Sequence, residues 1–391
     1  MDMTKLALLF AVAGALPGFG QSFQAETVRN PAAAGAVQPN WSAAPDGSPV
    51  LSWIEPSKDG SYSLRYAVRH GSTWSEARTV TAGRHFFRHP AESPEVIPLS
   101  DKLWLAHWVE MPNESSDAEF VYVSSSTDGL HWTAPLMAHK DRSPVQHGLV
   151  SMVGSGAGEA SLFWLETPKG EDGPGYLMRT VVDSSGKELR EERLDADVCS
   201  CCPTAVARTD RGLLVAYRAR TPKDIRDIGV IRYENGRWSP LKIVHADNWL
   251  LNACPTNAAS VSAKGSRAVI AWYTGAQNSP RVEAVFSADA GSTFTKPILV
   301  STGHAYGYTS AVLEEDGGAV VSWLEQAPDN SSRVLVRRIN PAGIPGPVVQ
   351  VAQGGRMALG YPRLFHSASG TFIAWGNPSQ PGVETAQLKN K

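Results

Sequence analysis

The sequence predicts an all-β fold, a seven-bladed β-propeller whose blades are four-stranded antiparallel sheets. Short apolar strands with a central aromatic residue recur seven times, at positions 53, 108, 164, 217, 272, 323 and 375. The spacings between them, 51 to 56 residues, are typical of a repeat architecture. Glycine and proline are plentiful, at 35 and 27 residues, and long runs of helical period are absent. Seven similar units favour radial repetition over a two-sheet sandwich.

Each unit shows the same order of predicted strands. A short strand and a polar turn precede the aromatic strand, such as "LSWIE" at 51–55. An alternating strand such as "VEAVFSA" follows, and a last strand such as "ILVST" closes the unit. The seventh unit, from about residue 361, is one strand short. We expect "SFQAETV", residues 22–28, to supply that strand, because closure of the ring removes exposed sheet edges.

The first twenty residues are predicted to be a secretory signal peptide. Lys5 precedes an apolar run at 6–16, and Gly18 and Gly20 supply the small residues that a signal peptidase requires. This run is too short to cross a membrane, and no later stretch is long and apolar enough. Residues 21–391 are therefore expected to form one exported propeller domain, periplasmic or secreted. The formal net charge of −2 gives no electrostatic reason to expect nucleic acid as a partner.

The four cysteines lie at two neighbouring blade boundaries. Cys199, Cys201 and Cys202 occupy "DVCSCCPTA", and Cys254 lies in the similar phrase "NACPTNA". Because "CCPT" and "ACPT" begin equivalent strands of adjacent blades, Cys202 and Cys254 are candidate neighbours. We expect a disulfide from the cluster to Cys254, through Cys202, since exported thiols tend to oxidise. Four cysteines permit three connectivities, and a vicinal Cys201–Cys202 bridge is a further possibility.

The predicted loops between blades share the face around the channel mouth. They span 81–90, 138–148, 195–203, 245–255, 301–308 and 352–361, and they contain six of the ten histidines and all four cysteines. This crowding favours a soft transition-metal or redox site as an alternative to the disulfide. The Cys199-x-x-Cys202 spacing suits thiolate ligands, and His89 or His147 would complete the set.

The turns between the third and fourth strands carry a second repeated pattern. "SADAGSTF" occupies 287–294, and the shorter "STDGLHW" occupies 126–132. These turns resemble the Asp-box, S-x-D-x-G-x-T-W/F, of the sialidase-like, or BNR-repeat, propellers. In such a turn the Asp accepts backbone N–H bonds and the Gly takes a positive φ, so the pattern indicates fold rather than catalysis. The resemblance in repeat covers nearly the whole mature chain, and it makes a six-bladed sialidase-type propeller the alternative.

The segment "FFRHP", residues 86–90, also resembles the sialidases, which carry a Phe/Tyr-Arg-x-Pro motif before their first good Asp-box. In that family the arginine belongs to a cluster that grips the substrate carboxylate in a bidentate fork. The resemblance implies that Arg88 is the matching residue. Further arginines on the predicted channel face, which we take as candidate ligand contacts, are Arg218, Arg220, Arg226 and Arg281.

A sialidase also needs a tyrosine nucleophile and an acidic proton donor. No motif separates the available tyrosines; we take Tyr308 as the candidate nucleophile, and Tyr306 and Tyr361 as candidate ligand contacts. Asp224 and Asp227 in "KDIRD" are the candidate acids, with a solvated loop of local ion pairs as the other interpretation.

Glutamate recurs two residues after tryptophan in four units, at Glu55, Glu110, Glu166 and Glu325. Residues two apart share one face of a strand, so this repetition favours a structural role. Three classes of function therefore remain open: a glycan-directed hydrolase of the sialidase type, a noncatalytic propeller that binds a glycan or protein, and a metal-binding or redox protein. The sequence makes no prediction of oligomeric state.

Overall fold

The computed structural model describes residues 23–156, 158–170, 173–183, 185–187, 189–355, 359–377 and 382–390. The predicted signal peptide, residues 1–20, lies outside these ranges. The described residues form seven antiparallel sheets arranged as the blades of a propeller. Their one helical element is a short 3-10 turn, Ala276–Asn278. No helix within these ranges has the length and apolar character needed to cross a membrane.

The first strand, β1 (Phe23–Thr27), precedes blade 1. Blade 1 contains β2 (Val37–Ala43), β3 (Pro49–Pro56), β4 (Tyr62–His70), β5 (Thr73–Trp74) and β6 (Arg78–Gly83). Blade 2 contains β7 (Glu95–Ser100), β8 (Leu103–Glu110), β9 (Phe120–Ser126) and β10 (Leu136–Met137). Blade 3 contains β11 (Gln146–Gly156), β12 (Glu159–Thr167), β13 (Pro174–Val182) and β14 (Leu189–Cys199).

Blade 4 contains β15 (Ala205–Thr209), β16 (Gly212–Arg218), β17 (Ile228–Glu234), β18 (Arg237–Trp238) and β19 (Lys242–Ile243). Blade 5 contains β20 (Ala259–Lys264), β21 (Arg267–Thr274), β22 (Arg281–Ser287) and β23 (Ile298–Leu299). Blade 6 contains β24 (Ala305–Leu313), β25 (Ala319–Gln326), β26 (Ser332–Ile339) and β27 (Pro345–Gly354). Blade 7 contains β28 (Arg363–Ser367), β29 (Gly370–Asn377) and β30 (Gly382–Asn390).

The ring closes through the two ends of the chain. The strand order of the last sheet is β1-β30-β29-β28, and β1 pairs antiparallel with β30 from Phe23↔Asn390 to Thr27↔Ala386. The prediction of seven blades closed by the N-terminal strand is confirmed, and the six-bladed alternative is wrong. Closure covers the backbone edge that β30 would otherwise present to solvent.

The repeated aromatic residues form the centre of the blades. They lie in β3, β8, β12, β16, β21, β25 and β29, and each is at most 4% exposed. In three blades the indole N–H also donates to the glutamate two residues later, at 2.8 Å for Glu55, 2.6 Å for Glu110 and 3.1 Å for Glu325. The repeated Trp-x-Glu pattern is therefore structural in these blades, as the sequence predicts.

The two best Asp-containing turns have the predicted hydrogen bonds. Asp128 Oδ1 accepts the backbone N–H of Leu130 at 2.7 Å and of His131 at 2.8 Å, and Asp289 Oδ1 accepts that of Thr293 at 2.8 Å. The glycines that follow, Gly129 and Gly291, have φ values of +68° and +82°. A side chain at this backbone conformation is strained, which explains glycine in both turns.

Polar side chains around the channel join consecutive blades. Gln38 Nε2 of blade 1 donates to the carbonyl of Glu92 at 2.7 Å, in the loop that leads into blade 2. The Glu92 carboxylate in turn accepts the backbone N–H groups of Leu149 and Val150 at the start of blade 3. These links fix the loops that form the channel mouth, where the candidate site residues lie.

Candidate functional site

A cleft of about 380 Å³ opens between blade 1 and blade 7 at the channel mouth. Its walls combine prolines and aromatic rings with few polar groups; they include Gln38, Pro39, Pro56, Tyr62, Arg88 and Tyr361. The Arg88 guanidinium lies 4.0 Å from the centroid of the Tyr62 ring, and its Nη1 donates to the Tyr62 hydroxyl at 2.6 Å. Arg88 is exposed, and among the described residues no carboxylate forms an ion pair with it. The remaining N–H groups of this planar fork are available to an anionic ligand.

The other candidate arginines are occupied by the protein itself. Arg218 is 1% exposed and donates to the carbonyls of Asn257, Arg226 and Tyr273. Arg220 pairs with Asp224 at 2.8 Å, and Arg281 pairs with Glu283 at 3.0 Å. These three arginines are therefore held by other contacts and do not extend the Arg88 fork.

Arg226 is buried beside the cysteines. Its Nη1 donates to Cys199 Sγ at 3.1 Å, and its Nη2 lies 3.5 Å from Asp224 Oδ1. The guanidinium therefore contacts a sulfur atom and a carboxylate, and it belongs to the surroundings of the cysteines rather than to the Arg88 cleft.

The candidate acids are poor proton donors in this arrangement. The hydrogen bond from Arg220 holds the pKa of Asp224 below its usual range, so this carboxylate is ionised and paired. Asp227 is 5% exposed, and its carboxylate accepts the backbone N–H groups of Asn248 and Trp249, both at 3.0 Å. Burial raises the pKa of Asp227, but both its oxygens hold the loop that follows blade 4.

The candidate tyrosines pack in the channel. Tyr308 and Tyr361 meet edge to face with ring centroids 4.4 Å apart, and the Tyr361 hydroxyl donates to the carbonyl of Thr256. Burial raises the pKa of both phenols, which disfavours the phenolate that a nucleophile requires. Tyr306 is half-buried and packs against the apolar core between blades 6 and 7.

The disulfide joins Cys201 to Cys254, with the two Cα atoms 6.0 Å apart. A bridge between the cluster and Cys254 is confirmed, but the prediction that Cys202 forms it is wrong. Cys201 and Cys202 lie in a turn and bend rather than in a strand, so the directions of their side chains do not follow the alternation of the repeat. Cys201 and Cys254 line the same cleft, whereas Cys202 lies near Tyr308 and Tyr361.

Cys199 and Cys202 are buried free thiols whose sulfur atoms lie 3.4 Å apart. The hydrogen bond with Cys202, together with the charges of Arg218 and Arg226, lowers the pKa of Cys199 to about 6. Burial and the neighbouring sulfur raise the pKa of Cys202. One thiolate at neutral pH, hydrogen-bonded to one thiol, is a nucleophilic arrangement.

The second cleft at this face, of about 460 Å³, lies beside the disulfide. His89 lines both this cleft and the Arg88 cleft. His147 is instead buried between blades 2 and 3, stacked on His139 with ring centroids 3.9 Å apart. Burial lowers the pKa of His147 and lowers that of His139 to about 3. Within the described ranges, the sulfur atoms of Cys199, Cys201 and Cys202 form a close group that no histidine joins.

Sequence reasoning missed Tyr62 as the partner of Arg88, because Tyr62 begins β4 in blade 1 and no local pattern links it to "FFRHP". It also missed the carboxylates around His147. Asp141 Oδ2 lies 3.6 Å and Glu166 Oε2 lies 3.9 Å from its Nε2.

No family model and no curated protein matches the chain. Solved structures do resemble it: a mutant of an α-L-arabinofuranosidase from Fusarium graminearum, in complex with an iminosugar inhibitor, has a TM-score of 0.51 at 11% identity over 95% of this chain and 96% of that one. A protein of unknown function from Dyadobacter fermentans has a TM-score of 0.50 at 15% identity over 96% and 100%. A mutant of the NanB sialidase from Streptococcus pneumoniae has a TM-score of 0.49 at 10% identity over 90% and 85%. At these identities the likeness shows the propeller fold alone.

Proposed function

We propose that the protein is an exported propeller that binds an acidic carbohydrate in the Arg88 cleft without hydrolysing it. One observation carries the proposal: an exposed arginine without a carboxylate partner among the described residues, stacked on Tyr62 in a cleft lined by prolines and aromatic rings. The guanidinium offers a planar fork to a sugar carboxylate, and the apolar walls suit the C–H faces of a sugar ring. The resemblance of "FFRHP" to the sialidase motif favours the same ligand chemistry.

The state of the candidate catalytic residues supports binding rather than hydrolysis. A proton donor in a glycoside hydrolase requires a raised pKa and access to the substrate. The pKa of Asp224 is lowered by Arg220, and Asp227, whose pKa is raised, is buried with both oxygens bonded to backbone N–H groups. The nucleophile requires activation, whereas burial raises the pKa of Tyr308. Export is part of the proposal, and the Cys201–Cys254 disulfide supports an oxidising compartment. Nucleic acid has no part in it.

Isothermal titration calorimetry with free N-acetylneuraminic acid, glucuronic acid and neutral glucose tests this proposal. We expect the two acids to bind and glucose to bind more weakly, because glucose lacks the carboxylate. Arg88→Lys should weaken acid binding by at least about tenfold, since a lysine cannot present the planar fork. Arg84→Lys, an exposed position in the same loop, is the matched control and should leave affinity unchanged.

A fluorogenic sialoside provides the second measurement. We expect no release of the fluorophore by the wild-type chain. Robust release would refute a noncatalytic role and show that the protein is a glycoside hydrolase. Equal affinity for the acidic and neutral sugars, or no effect of Arg88→Lys, would refute the carboxylate site.

A second candidate function, thiol-disulfide chemistry, rests on the buried pair Cys199 and Cys202. Their sulfur atoms are 3.4 Å apart, and Arg226 stabilises the Cys199 thiolate. Oxidised glutathione would convert the two thiols to a disulfide and release two reduced glutathione molecules. Equilibration in glutathione buffers, followed by peptide mapping without reduction, should show a reversible Cys199–Cys202 bridge. Thiols that stay reduced in the most oxidising buffer would exclude this function.

A further inference from the structure

Three side chains converge between blades 2 and 3. His147 Nε2 lies 3.6 Å from Asp141 Oδ2 and 3.9 Å from Glu166 Oε2. One ligand atom from each residue lies within 4.8 Å of the other two. The His147 side chain is fully buried, and its Nε2 has no hydrogen-bond partner.

The orientation of His147 is fixed by its other ring nitrogen. Nδ1 lies 3.0 Å from the carbonyl oxygen of Glu119 and 3.1 Å from that of Val145. Carbonyl oxygens only accept, so Nδ1 carries the proton and donates it. In the neutral ring, the lone pair of Nε2 then faces two carboxylates at distances too long for hydrogen bonds. A neutral imidazole nitrogen and two carboxyl groups at these distances are a ligand set that a cation can bind.

The ring is also held in place by its stacking partners. His147 lies parallel to His139, at an interplanar angle of 6°, and Phe120 stacks on His147 at 5.8 Å. A metal-bound histidine is usually oriented in this way, by a backbone carbonyl that accepts the N–H of its other ring nitrogen.

Glu166 departs from the role that its repeat position predicts. In the three blades with Glu55, Glu110 and Glu325, the preceding tryptophan donates its indole N–H to the glutamate. In blade 3 the Trp164 indole donates to Thr180 Oγ1 instead, at 3.2 Å. The Glu166 carboxylate lies 3.9 Å from His147 Nε2, a contact that the structural role of the other three glutamates does not require.

Asp141 supplies the solvent-facing side of the group. Its side chain is 39% exposed, and Ser143 orients it through a backbone N–H to Oδ1 at 2.8 Å and a hydroxyl to Oδ2 at 2.7 Å. An ion can enter from this side, and water can complete its coordination.

We propose that Asp141, His147 and Glu166 bind one first-row divalent cation of the zinc class. An imidazole with two carboxylates is a nitrogen and oxygen set that suits such ions, and three protein ligands leave a position for water. Ligands about 2.0–2.2 Å from zinc lie about 3.3–3.6 Å from one another in tetrahedral geometry. Shifts of about half an ångström at each ligand atom bring the present distances into that range.

Calorimetric titration of the chelator-treated full chain with Zn²⁺ tests the site. The free thiols also bind zinc, so the titration uses a Cys199→Ser, Cys202→Ser background. We expect one equivalent of Zn²⁺ to bind. In the same background, Glu166→Gln or Asp141→Asn should weaken zinc binding by at least about tenfold, because loss of a residue that only hydrogen-bonds to a metal ligand already costs about that much affinity.

Matched controls separate ligation from folding. Glu110→Gln alters the same repeat position in blade 2, and Asp59→Asn alters a turn in which Ser61 hydrogen-bonds the carboxylate in the way that Ser143 does. Both should retain full zinc affinity. Absence of saturable binding in the thiol-free background, or equal affinity in the ligand and control variants, overturns the proposal.

A spectroscopic measurement on the same background needs no ligand variant. Co²⁺ bound by these residues should give visible ligand-field absorption, and addition of one equivalent of Zn²⁺ should abolish it. A spectrum identical to that of free aqueous Co²⁺ in the folded thiol-free chain contradicts the site, even if the ligand variants fail to fold.

Discussion

At the scale of single residues, Glu92 is a buried acid whose hydrogen bonds join the loop before blade 2 to the start of blade 3. It is 1% exposed, and its carboxylate accepts backbone N–H groups from Leu149, Val150 and Ser93. Burial raises its pKa from 4.5 to about 7. A carboxyl whose pKa is raised on folding binds more protons in the folded state between these two values. The free energy of unfolding therefore falls as pH rises through this window.

Glu92→Gln tests this titration because the amide keeps an acceptor and carries no charge. Relative to this variant, the wild-type chain should lose roughly 3 kcal/mol of stability between pH 4 and pH 8. Urea unfolding at several pH values measures the difference, and Glu114→Gln, an exposed position, is the control. A stability difference that does not change with pH would show that Glu92 does not titrate in this range.

Cys199 provides a second titration. Its pKa of about 6 predicts a thiolate absorbance near 240 nm that appears as pH rises through that value. Cys202→Ala should raise the midpoint because it removes the hydrogen bond to the thiolate, whereas Cys202→Ser retains a donor and should raise it less. A midpoint near that of an ordinary thiol in the wild-type chain would disprove the lowered pKa.

Residue-level roles were only partly predictable from the sequence. Arg88 could be predicted because it lies in a recognisable motif. Its partner Tyr62 lies in another part of the chain, and only the folded structure brings the two side chains into contact. Glu166 shares the Trp-x-Glu pattern with structural glutamates, and only the altered hydrogen bond of Trp164 separates it from them. A local sequence pattern does not show which acceptor an indole N–H will choose in a packed blade.

At the scale of elements, the Cys201–Cys254 bridge joins the loops that lead into blades 4 and 5, and it spans 53 residues. A loop of this length corresponds to about 4 kcal/mol of stabilisation in the chain-entropy description. Cys201→Ala with Cys254→Ala should lower the free energy of unfolding by about that amount when denaturation is followed with urea.

The control for this pair is the Cys199→Ala, Cys202→Ala variant, which leaves the bridge intact. Peptide mapping without reduction identifies the bridge directly. A peptide that joins Cys202 to Cys254 would contradict the pairing in the structure.

Strand order and blade boundaries were predictable because they depend on a period, whereas the choice between Cys201 and Cys202 depends on a shift of one residue. Both residues lie in a turn and bend between two strands, where the local backbone rather than strand alternation sets the direction of each side chain. The repeat located the boundary loops to within a few residues, but it carried no information on which neighbouring cysteine faces Cys254.

At the scale of the whole molecule, the ring is closed by five backbone pairs between β1 and β30. Phe23 is 5% exposed and packs with Leu388 in the core between blades 6 and 7. The last blade thus contains β1 together with β28, β29 and β30. Removal of β1 would therefore expose the edge of β30, although β30 is distant in the sequence.

Deletion of residues 23–28 should expose the edge of β30 and cause the chain to associate, because an unpaired strand edge is a template for another chain. Size-exclusion chromatography with light scattering measures the association, and hydrogen exchange should accelerate at Gly382–Asn390. Glu26→Gln is the matched control, since it removes the ion pair with Lys389 and keeps the strand. A synthetic peptide of residues 22–28 should restore protection of β30 in the deleted chain. Unchanged association and unchanged exchange in the deleted chain would show that closure by β1 does not stabilise the ring.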